Sequence, residues 1–120
     1  MADSPQEYLE AAPDPGRAWL REFWQHVQTR SAAAAPTMFR GVPMYKFANS
    51  YLEGYIMFTA AKNHFAVHAL DFDLVQQARA AIPGAAGGKG SVRVTYGNVE
   101  ATPALKELVD AVLRRHGLLA

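Results

Sequence analysis

The chain has 120 residues, half of them apolar and 19% charged, with no cysteine and a formal net charge of +1. This composition excludes an intrinsically disordered chain, and the missing cysteine excludes disulfides, thiol catalysis and cysteine-ligated zinc or iron–sulfur sites. A charge so close to zero argues against nucleic acid as a partner, because domains that bind it are usually strongly basic. We expect a single domain over residues 1–120.

No secretory signal and no membrane span are visible in the sequence. No apolar run reaches the roughly 18 residues that a membrane span needs. The stretch Met1–Pro5 has neither the cationic nor the apolar region of a secretory signal. We therefore expect a cytoplasmic protein with no membrane partner.

Two helices are predicted at the start of the chain. Ser4–Glu7 has the pattern of a capping box with proline at the first helical position, and Pro13–Pro15 ends that helix. A second helix is predicted over residues 15 to about 30; the run Ala32–Ala35 is compatible with its extension, and Pro36 would close it. An apolar stripe at the helical period, which indicates a core-facing helix rather than a partner-binding one, consists of Trp19, Leu20, Phe23, Trp24 and Val27.

The middle of the chain is rich in aromatic and β-branched residues, which is typical of strands. Three strands are predicted, at Met44–Ala48, Gly54–Ala60 and His64–Leu70. The short polar segment Ala61–Asn63 predicts a hairpin, so the second and third strands should be antiparallel neighbours. The residues of the third strand that we expect to face the core are Phe65, Val67 and Ala69.

The last third alternates helix and strand. Asp71 is expected to cap a helix that Pro83 ends, and Ala85–Gly90 is expected to be a small flexible loop. A fourth strand is predicted at Ser91–Tyr96, and a final helix over residues 102–117. The sequence thus predicts an α+β fold, with a mostly antiparallel sheet of about four to five strands packed against N- and C-terminal helices.

Three segments in this order resemble motifs of a known family. They are Gly41–Tyr45 (Gly-x-Pro-x-aromatic), Phe58–His64 (Phe-x-x-x-Lys-Asn-His) and Lys89–Arg93 (Lys-Gly-Ser-aliphatic-Arg). Together they resemble the YdhG-like family of small bacterial domains of unknown function, over about residues 4–115. The resemblance implies an α+β fold with an antiparallel sheet. Some members carry a frataxin-like iron-chaperone label, and the family supplies no established catalytic residues.

A set of cationic and aromatic residues lies in or beside these motifs. Residues 40–93 contain six Lys and Arg against three acidic residues. If the motifs converge, they form a basic and aromatic cleft for an anionic small molecule or an acidic protein segment. The alternative, given equal weight, is that these residues serve turns and ordinary surface ion pairs. The candidate ligand-binding residues are Arg40, Tyr45, Lys62, His64, Lys89 and Arg93.

Iron is a weaker alternative, and no other cofactor is expected. Asp3, Glu7, Glu10 and Asp14 follow one another at spacings of four, three and four, and hard oxygen ligands suit iron. The prolines that flank Asp14 interrupt the helix that would align the four residues, so a solvated helix face is favoured. An iron-chaperone function therefore stays an alternative to the binding module.

Two patterns fail as catalytic motifs. His64 and His68 have the zinc-protease spacing, but on a strand they lie about 13 Å apart, too far to share one ion. Asp71 and Asp73 could join His68 only in a loose site. The glycine-rich stretch Gly84–Ser91 has no glycine at the first Walker position and precedes a strand, so nucleotide hydrolysis is rejected, although its amides and Lys89 could hold a small anion.

No catalytic constellation can be assembled from the sequence, and we favour a non-enzymatic protein; an enzyme stays an open alternative, because catalytic groups meet in space rather than in sequence. The strand region also contains more large apolar residues than one face of a small sheet hides, which favours a homodimeric adaptor as a third alternative. The residues concerned are Tyr51, Tyr55, Met57 and Phe58.

Overall fold

The computed structural model describes residues 4–31, 34–47 and 54–119. The helices in this part of the chain are α1 (Pro5–Ala11), α2 (Gly16–Arg30), α3 (Phe72–Ala81) and α4 (Thr102–Arg115), with a 3₁₀ turn at Val99–Ala101 before α4. The strands are β1 (Ala35–Phe39), β2 (Val42–Lys46), β3 (Tyr55–Ala60), β4 (His64–Ala69) and β5 (Ser91–Thr95).

The strands form one antiparallel sheet in the order β1-β2-β3-β4-β5. The first four strands form a meander in which a two-residue turn joins β1 to β2 and a three-residue turn joins β3 to β4, and α3 lies between β4 and β5 in the chain. Each pair of neighbours has a fixed register, such as His64 opposite Thr95 and Met57 opposite His68. The predicted α+β class is confirmed, as is the antiparallel β3–β4 hairpin.

The hydrophobic core lies between the helices and one face of the sheet. The sheet residues in the core cluster all share that face because side chains alternate along each strand: Tyr45, Ile56, Phe58, Phe65, Val67, Ala69, Val92 and Val94. This confirms the predicted core-facing residues of β4. The opposite face buries Met44 and Ala66, and its other residues on β3, β4 and β5 are half-buried or exposed.

The apolar stripe of α2 packs into this core, as predicted. Phe23 is fully buried, with its ring centroid 4.8 Å from that of Phe65. Gly16, the first residue of α2, lies so close to Tyr96 and Ala60 that a Cβ there would be 2.8 Å from the Tyr96 hydroxyl oxygen. A glycine at this position therefore lets the start of the helix approach β3.

The sequence prediction is wrong between the second helix and the sheet. The compatible helix extension does not reach Ala35, which begins β1, while residues 32 and 33 lie outside the described part. Alanine favours helices, but α2 ends at Arg30 and the Ser31 hydroxyl accepts a hydrogen bond from the Ala34 amide. Pro36 is tolerated because β1 is an edge strand, where a missing amide hydrogen costs no ladder bond.

Strand β2 begins two residues before its predicted start. Val42 and Pro43 pair only with β1, since the β2–β3 pairing covers Met44–Lys46. The proline therefore disrupts no bond to β3. Ala48, the predicted end of this strand, lies outside the described residues.

One smaller expectation also changed. Asp71 precedes α3 at the cap position, but its side chain makes no capping hydrogen bond. The buried carboxylate instead contacts His116 Nε2 at 3.2 Å and Arg115 Nη1 at 3.3 Å, which ties the start of α3 to the end of α4.

No helix in the described ranges is long and apolar enough to cross a membrane.

Candidate functional site

The turn between β3 and β4 positions two of the candidate residues. The Ala61 amide donates to the His64 carbonyl at 2.8 Å, and the Tyr96 hydroxyl donates to the Ala61 carbonyl. Lys62 is exposed at the tip of this hairpin, and His64 is the first residue of β4. The hairpin thus holds Lys62 and His64 beside the end of β5.

Arg93 joins them through the pairing of β4 with β5. His64 lies opposite Thr95, and Arg93 precedes Thr95 by two residues, so the three side chains emerge on the sheet face away from the core. Arg93 is 29 positions from His64 in the chain, and only the sheet brings them together.

A loop segment closes the other side of this site. The Ala86 amide donates to the Arg93 carbonyl at 2.9 Å, and the Arg93 amide donates to the Ala86 carbonyl at 2.8 Å. The Asn98 side-chain amide donates to the Pro83 carbonyl at 2.9 Å, just before this segment. The segment therefore lies alongside β5 as a short extra edge of the sheet.

These elements form a shallow depression of about 250 Å³, called here the hairpin cleft. It is lined by Asn63, His64, Gly84, Ala86, Arg93, Val94 and Thr95.

Four of the seven residues that line the hairpin cleft have side chains that can donate hydrogen bonds, and none of the seven is acidic. Arg93, His64, Asn63 and Thr95 can all donate, and the guanidinium of Arg93 is permanently charged. Within residues 4–31, 34–47 and 54–119, the side chains of Arg93 and His64 have no ion pair and no hydrogen bond to another side chain. The arrangement leaves a positive, donor-lined surface open to solvent, which suits a negatively charged group.

Lys62 lines a second, adjacent cavity of about 380 Å³. Its other lining residues come from the start of α2 and from the hairpin: Pro13, Asp14, Pro15, Gly16, Ala60, Ala61 and Tyr96. Asp14 there is bound to Arg17 at 2.8 Å. Lys62 is next in sequence to Asn63, but it lines this second cavity and not the hairpin cleft.

The structure places Tyr45 in the core, which corrects its expected position on an accessible surface. The register pairs Tyr45 with Ile56, so its ring faces the helices and lies 4.2 Å from that of Trp24. The hydroxyl donates to the Trp24 carbonyl at 3.3 Å, and burial raises the pKa of the phenol. Tyr45 is 1% exposed and cannot contact a ligand at the surface.

Arg40 and Lys89 also lie away from the hairpin cleft. Arg40 occupies the turn between β1 and β2, at the opposite edge of the sheet from β5, with its guanidinium 5.1 Å from the Phe39 ring centroid. Lys89 lies over the Phe72 ring at 5.0 Å, beyond the end of β5 that pairs with His68. The structure therefore brings His64 and Arg93 together in the hairpin cleft, places Lys62 in the adjacent cavity, and leaves the other three residues elsewhere.

Two hydrogen-bond donors of the cleft, Asn63 and Thr95, were not predicted from the sequence, and neither was the segment at Ala86 that borders the cleft. In the sequence, Asn63 belongs to the predicted turn and Thr95 to the predicted strand Ser91–Tyr96, and neither position indicates a ligand contact. The pairing of Ala86 with Arg93 has no signal in the sequence, since Ala85–Gly90 has the composition of an unstructured loop.

The acidic residues considered for iron do not form a cluster in the described structure. Helix α1 ends at Ala11, before Asp14, and Glu10 accepts a hydrogen bond from Gln6 at 2.6 Å. Asp3 lies outside the described residues. Among the residues with a described position, no group of three or more His, Asp and Glu side chains could hold a metal ion.

His68 and Asp73, which the sequence offered for a loose site, also have neighbouring side chains as partners. His68 Nε2 lies 2.9 Å from the Thr59 hydroxyl, and burial lowers the pKa of this histidine. Asp73 is bound by Arg115 at 2.7 Å; this hydrogen bond lowers the pKa of the carboxyl to about 2. These side chains are thus engaged with neighbours rather than directed at a shared site.

The residues proposed as a surplus for dimerisation divide between the two faces of the sheet. Phe58 is buried in the core, while Tyr55 and Met57 are half-buried on the opposite face. Tyr51 lies outside the described residues.

Comparison with known proteins identifies the fold. No family model matches the chain, and no curated protein matches its sequence. A crystal structure of YdhG, a DUF1801 family protein from Bacillus subtilis, has a similar fold, with a TM-score of 0.74 over 96% of this chain and 92% of that one, at 17% sequence identity. The predicted YdhG-like resemblance is thus confirmed at the level of the fold.

Proposed function

We propose that this domain is a non-enzymatic binding module that holds an anionic group in the hairpin cleft. The group is a phosphate or carboxylate, on a small molecule or an acidic protein segment. The observation that carries the proposal is the Arg93 guanidinium beside His64 in a cleft with no acidic lining residue. We propose a cytoplasmic location with it, on the sequence evidence alone.

The charge distribution around Arg93 supports this proposal. Several cations of the domain are neutralised locally, such as Arg17 by Asp14, Arg30 by Asp110 and Arg115 by Asp73. An exposed ion pair of that kind offers little to a ligand, because its charges already satisfy each other. Arg93 has no such neighbour among the described residues, so a ligand anion would be its first oppositely charged partner.

The geometry of the cleft supports recognition of a single small anionic group. A guanidinium donates in a planar fork that matches carboxylate or phosphate oxygens, and the donors of His64 and Thr95 lie on the same sheet face. The volume of about 250 Å³ suits a headgroup rather than a whole cofactor. The rest of such a ligand would remain in solvent.

The test is a titration followed by NMR of the backbone amides and the His64 ring. The probes are inorganic phosphate and a capped tetraglutamate peptide, which distinguish a free anion from an acidic segment. Phosphate or peptide should shift the signals of His64, Arg93 and Thr95 at millimolar concentration or below.

Arg93→Gln removes the charge, and Lys89→Gln is its matched control. Lys89 lies four residues before Arg93, but contacts Phe72 and not the cleft. A charge-assisted hydrogen bond is worth about 1.5–3 kcal/mol, so Arg93→Gln should weaken binding by about tenfold or more. Equal losses in both variants would indicate only nonspecific attraction to a cation, and an unchanged affinity in Arg93→Gln would refute the assigned site.

A further inference from the structure

The segment between α3 and β5 accepts hydrogen bonds from a side chain that does not line the cleft. Arg79 lies in the last turn of α3, where its charge also complements the helix dipole. Its Nη1 atom donates to the Gly88 carbonyl and, at 3.3 Å, to the Ser91 carbonyl. One guanidinium thus ties together the two sides of the turn that leads into β5.

The turn itself adds two further constraints. The Gly88 amide donates to the Ser91 hydroxyl at 3.0 Å. Gly87 has a φ of 130°, and a Cβ at this position would be 2.3 Å from the Ser91 carbonyl oxygen. Only glycine fits that conformation, because both the backbone angle and the available space exclude a side chain.

The turn adjoins the segment at Ala86, which borders the hairpin cleft. Gly87 follows Ala86, whose backbone pairs with Arg93 through two hydrogen bonds. If the turn at Gly87–Ser91 opened, the segment at Ala86 would lose its anchor on one side. Ala85 packs against the hydrophobic core, but Ala86 and the four residues after it have no place in that core to replace the anchor.

We infer that Arg79 is a positioning residue for anion binding: by holding the loop at Gly88 and Ser91, it keeps Ala86 against Arg93 and preforms the hairpin cleft. This inference rests on the function proposed above. Apparent affinity falls in proportion to the fraction of molecules in the binding-competent conformation. A loop formed only a tenth to a third of the time would therefore weaken binding by about three- to tenfold.

The experiment compares the phosphate affinity of Arg79→Gln with that of Lys89→Gln. Both variants remove one positive charge from the same region, but only Arg79 bonds the loop carbonyls. Arg79→Gln should bind phosphate about three- to tenfold more weakly than Lys89→Gln. The slope of log affinity against log salt should be the same in these two variants and shallower in Arg93→Gln, which loses a direct contact.

A second pair of variants changes no charge. Gly87→Ala should weaken phosphate binding, whereas Gly88→Ala should not, because its Cβ would meet only the Ser91 hydroxyl oxygen, at 3.9 Å. Hydrogen exchange of the Ala86 and Arg93 amides should accelerate in Arg79→Gln and Gly87→Ala, and partly recover in Arg79→Lys.

The two proposals fail in different ways. If Arg79→Gln and Lys89→Gln bind phosphate equally while Arg93→Gln does not bind it, the positioning role is overturned and the proposed function stands. If Arg93→Gln binds as the wild type does, the cleft is not the binding site and both proposals fall.

Discussion

Replacing Gly16 with alanine tests how tightly the start of α2 packs on the sheet. The added methyl group would lie 2.8 Å from the Tyr96 hydroxyl oxygen and 2.9 Å from the Ala60 Cβ. Neither approach is tolerated, so the helix or the Tyr96 ring must move. Since the Tyr96 hydroxyl is bound to the Ala61 carbonyl, a shift of the ring also breaks that hydrogen bond.

The expected cost follows from three contributions. Adding a methyl group to a filled site costs about 1–3 kcal/mol. Loss of the hydrogen bond from Tyr96 adds about 0.5–1.5 kcal/mol. The better helix propensity of alanine returns up to about 1 kcal/mol, and less at the first helical position. We expect a net loss of about 2 kcal/mol in the free energy of unfolding, or roughly 6–12 °C in Tm for a domain of this size.

Urea unfolding followed by tryptophan fluorescence and a thermal melt measure this loss. Gly97→Ala is the matched control, because a Cβ at this exposed glycine meets nothing within 4 Å, and its stability should stay within about 0.5 kcal/mol of the wild type. In a Tyr96→Phe background the hydroxyl is absent, so Gly16→Ala should cost less there. Wild-type stability of Gly16→Ala, or the same cost in both backgrounds, would refute the packing argument.

Three further predictions concern buried and paired side chains. Tyr45→Phe removes the hydroxyl bound to the Trp24 carbonyl and should lower the free energy of unfolding in urea by about 0.5–1.5 kcal/mol, with phosphate affinity unchanged. An altered phosphate affinity would contradict the core position of Tyr45. Burial holds the pKa of His68 below 6.5 in the folded protein, so the unfolded chain binds the proton first and the free energy of unfolding should fall as pH drops through 6.5. His68→Gln should flatten this part of the pH–stability curve, and an unaltered curve would show that His68 is not responsible. The hydrogen bond from Arg115 lowers the pKa of Asp73 to about 2, so the stabilisation by this pair is present above pH 3.8 and is lost as pH falls toward 2. Asp73→Asn should lose this pH-dependent part of its acid unfolding, and an acid transition identical to that of the wild type would argue against the pair.

Local periodicity was sufficient for most of the elements. The 3.6-residue stripe of α2 and the alternation in β4 each depend on which face of one element is apolar, and this is visible within a dozen residues. Strand β1 was missed because an alanine run with a proline has no strand pattern of its own. Its conformation is set by pairing with β2, which adds hydrogen bonds that no local propensity encodes.

The same distinction between local pattern and long-range contact applies to the candidate site. The sequence by itself determined the hairpin that holds Lys62 beside His64, because a three-residue polar turn between two apolar strands brings its own ends together. Only the tertiary structure decided that Arg93 joins them, that Tyr45 faces the core and that Arg79 orders a glycine-rich loop. Each of these depends on the register between strands or on a hydrogen bond between distant segments, and such contacts are fixed by the packing of the whole sheet rather than by the residues next to them in the chain.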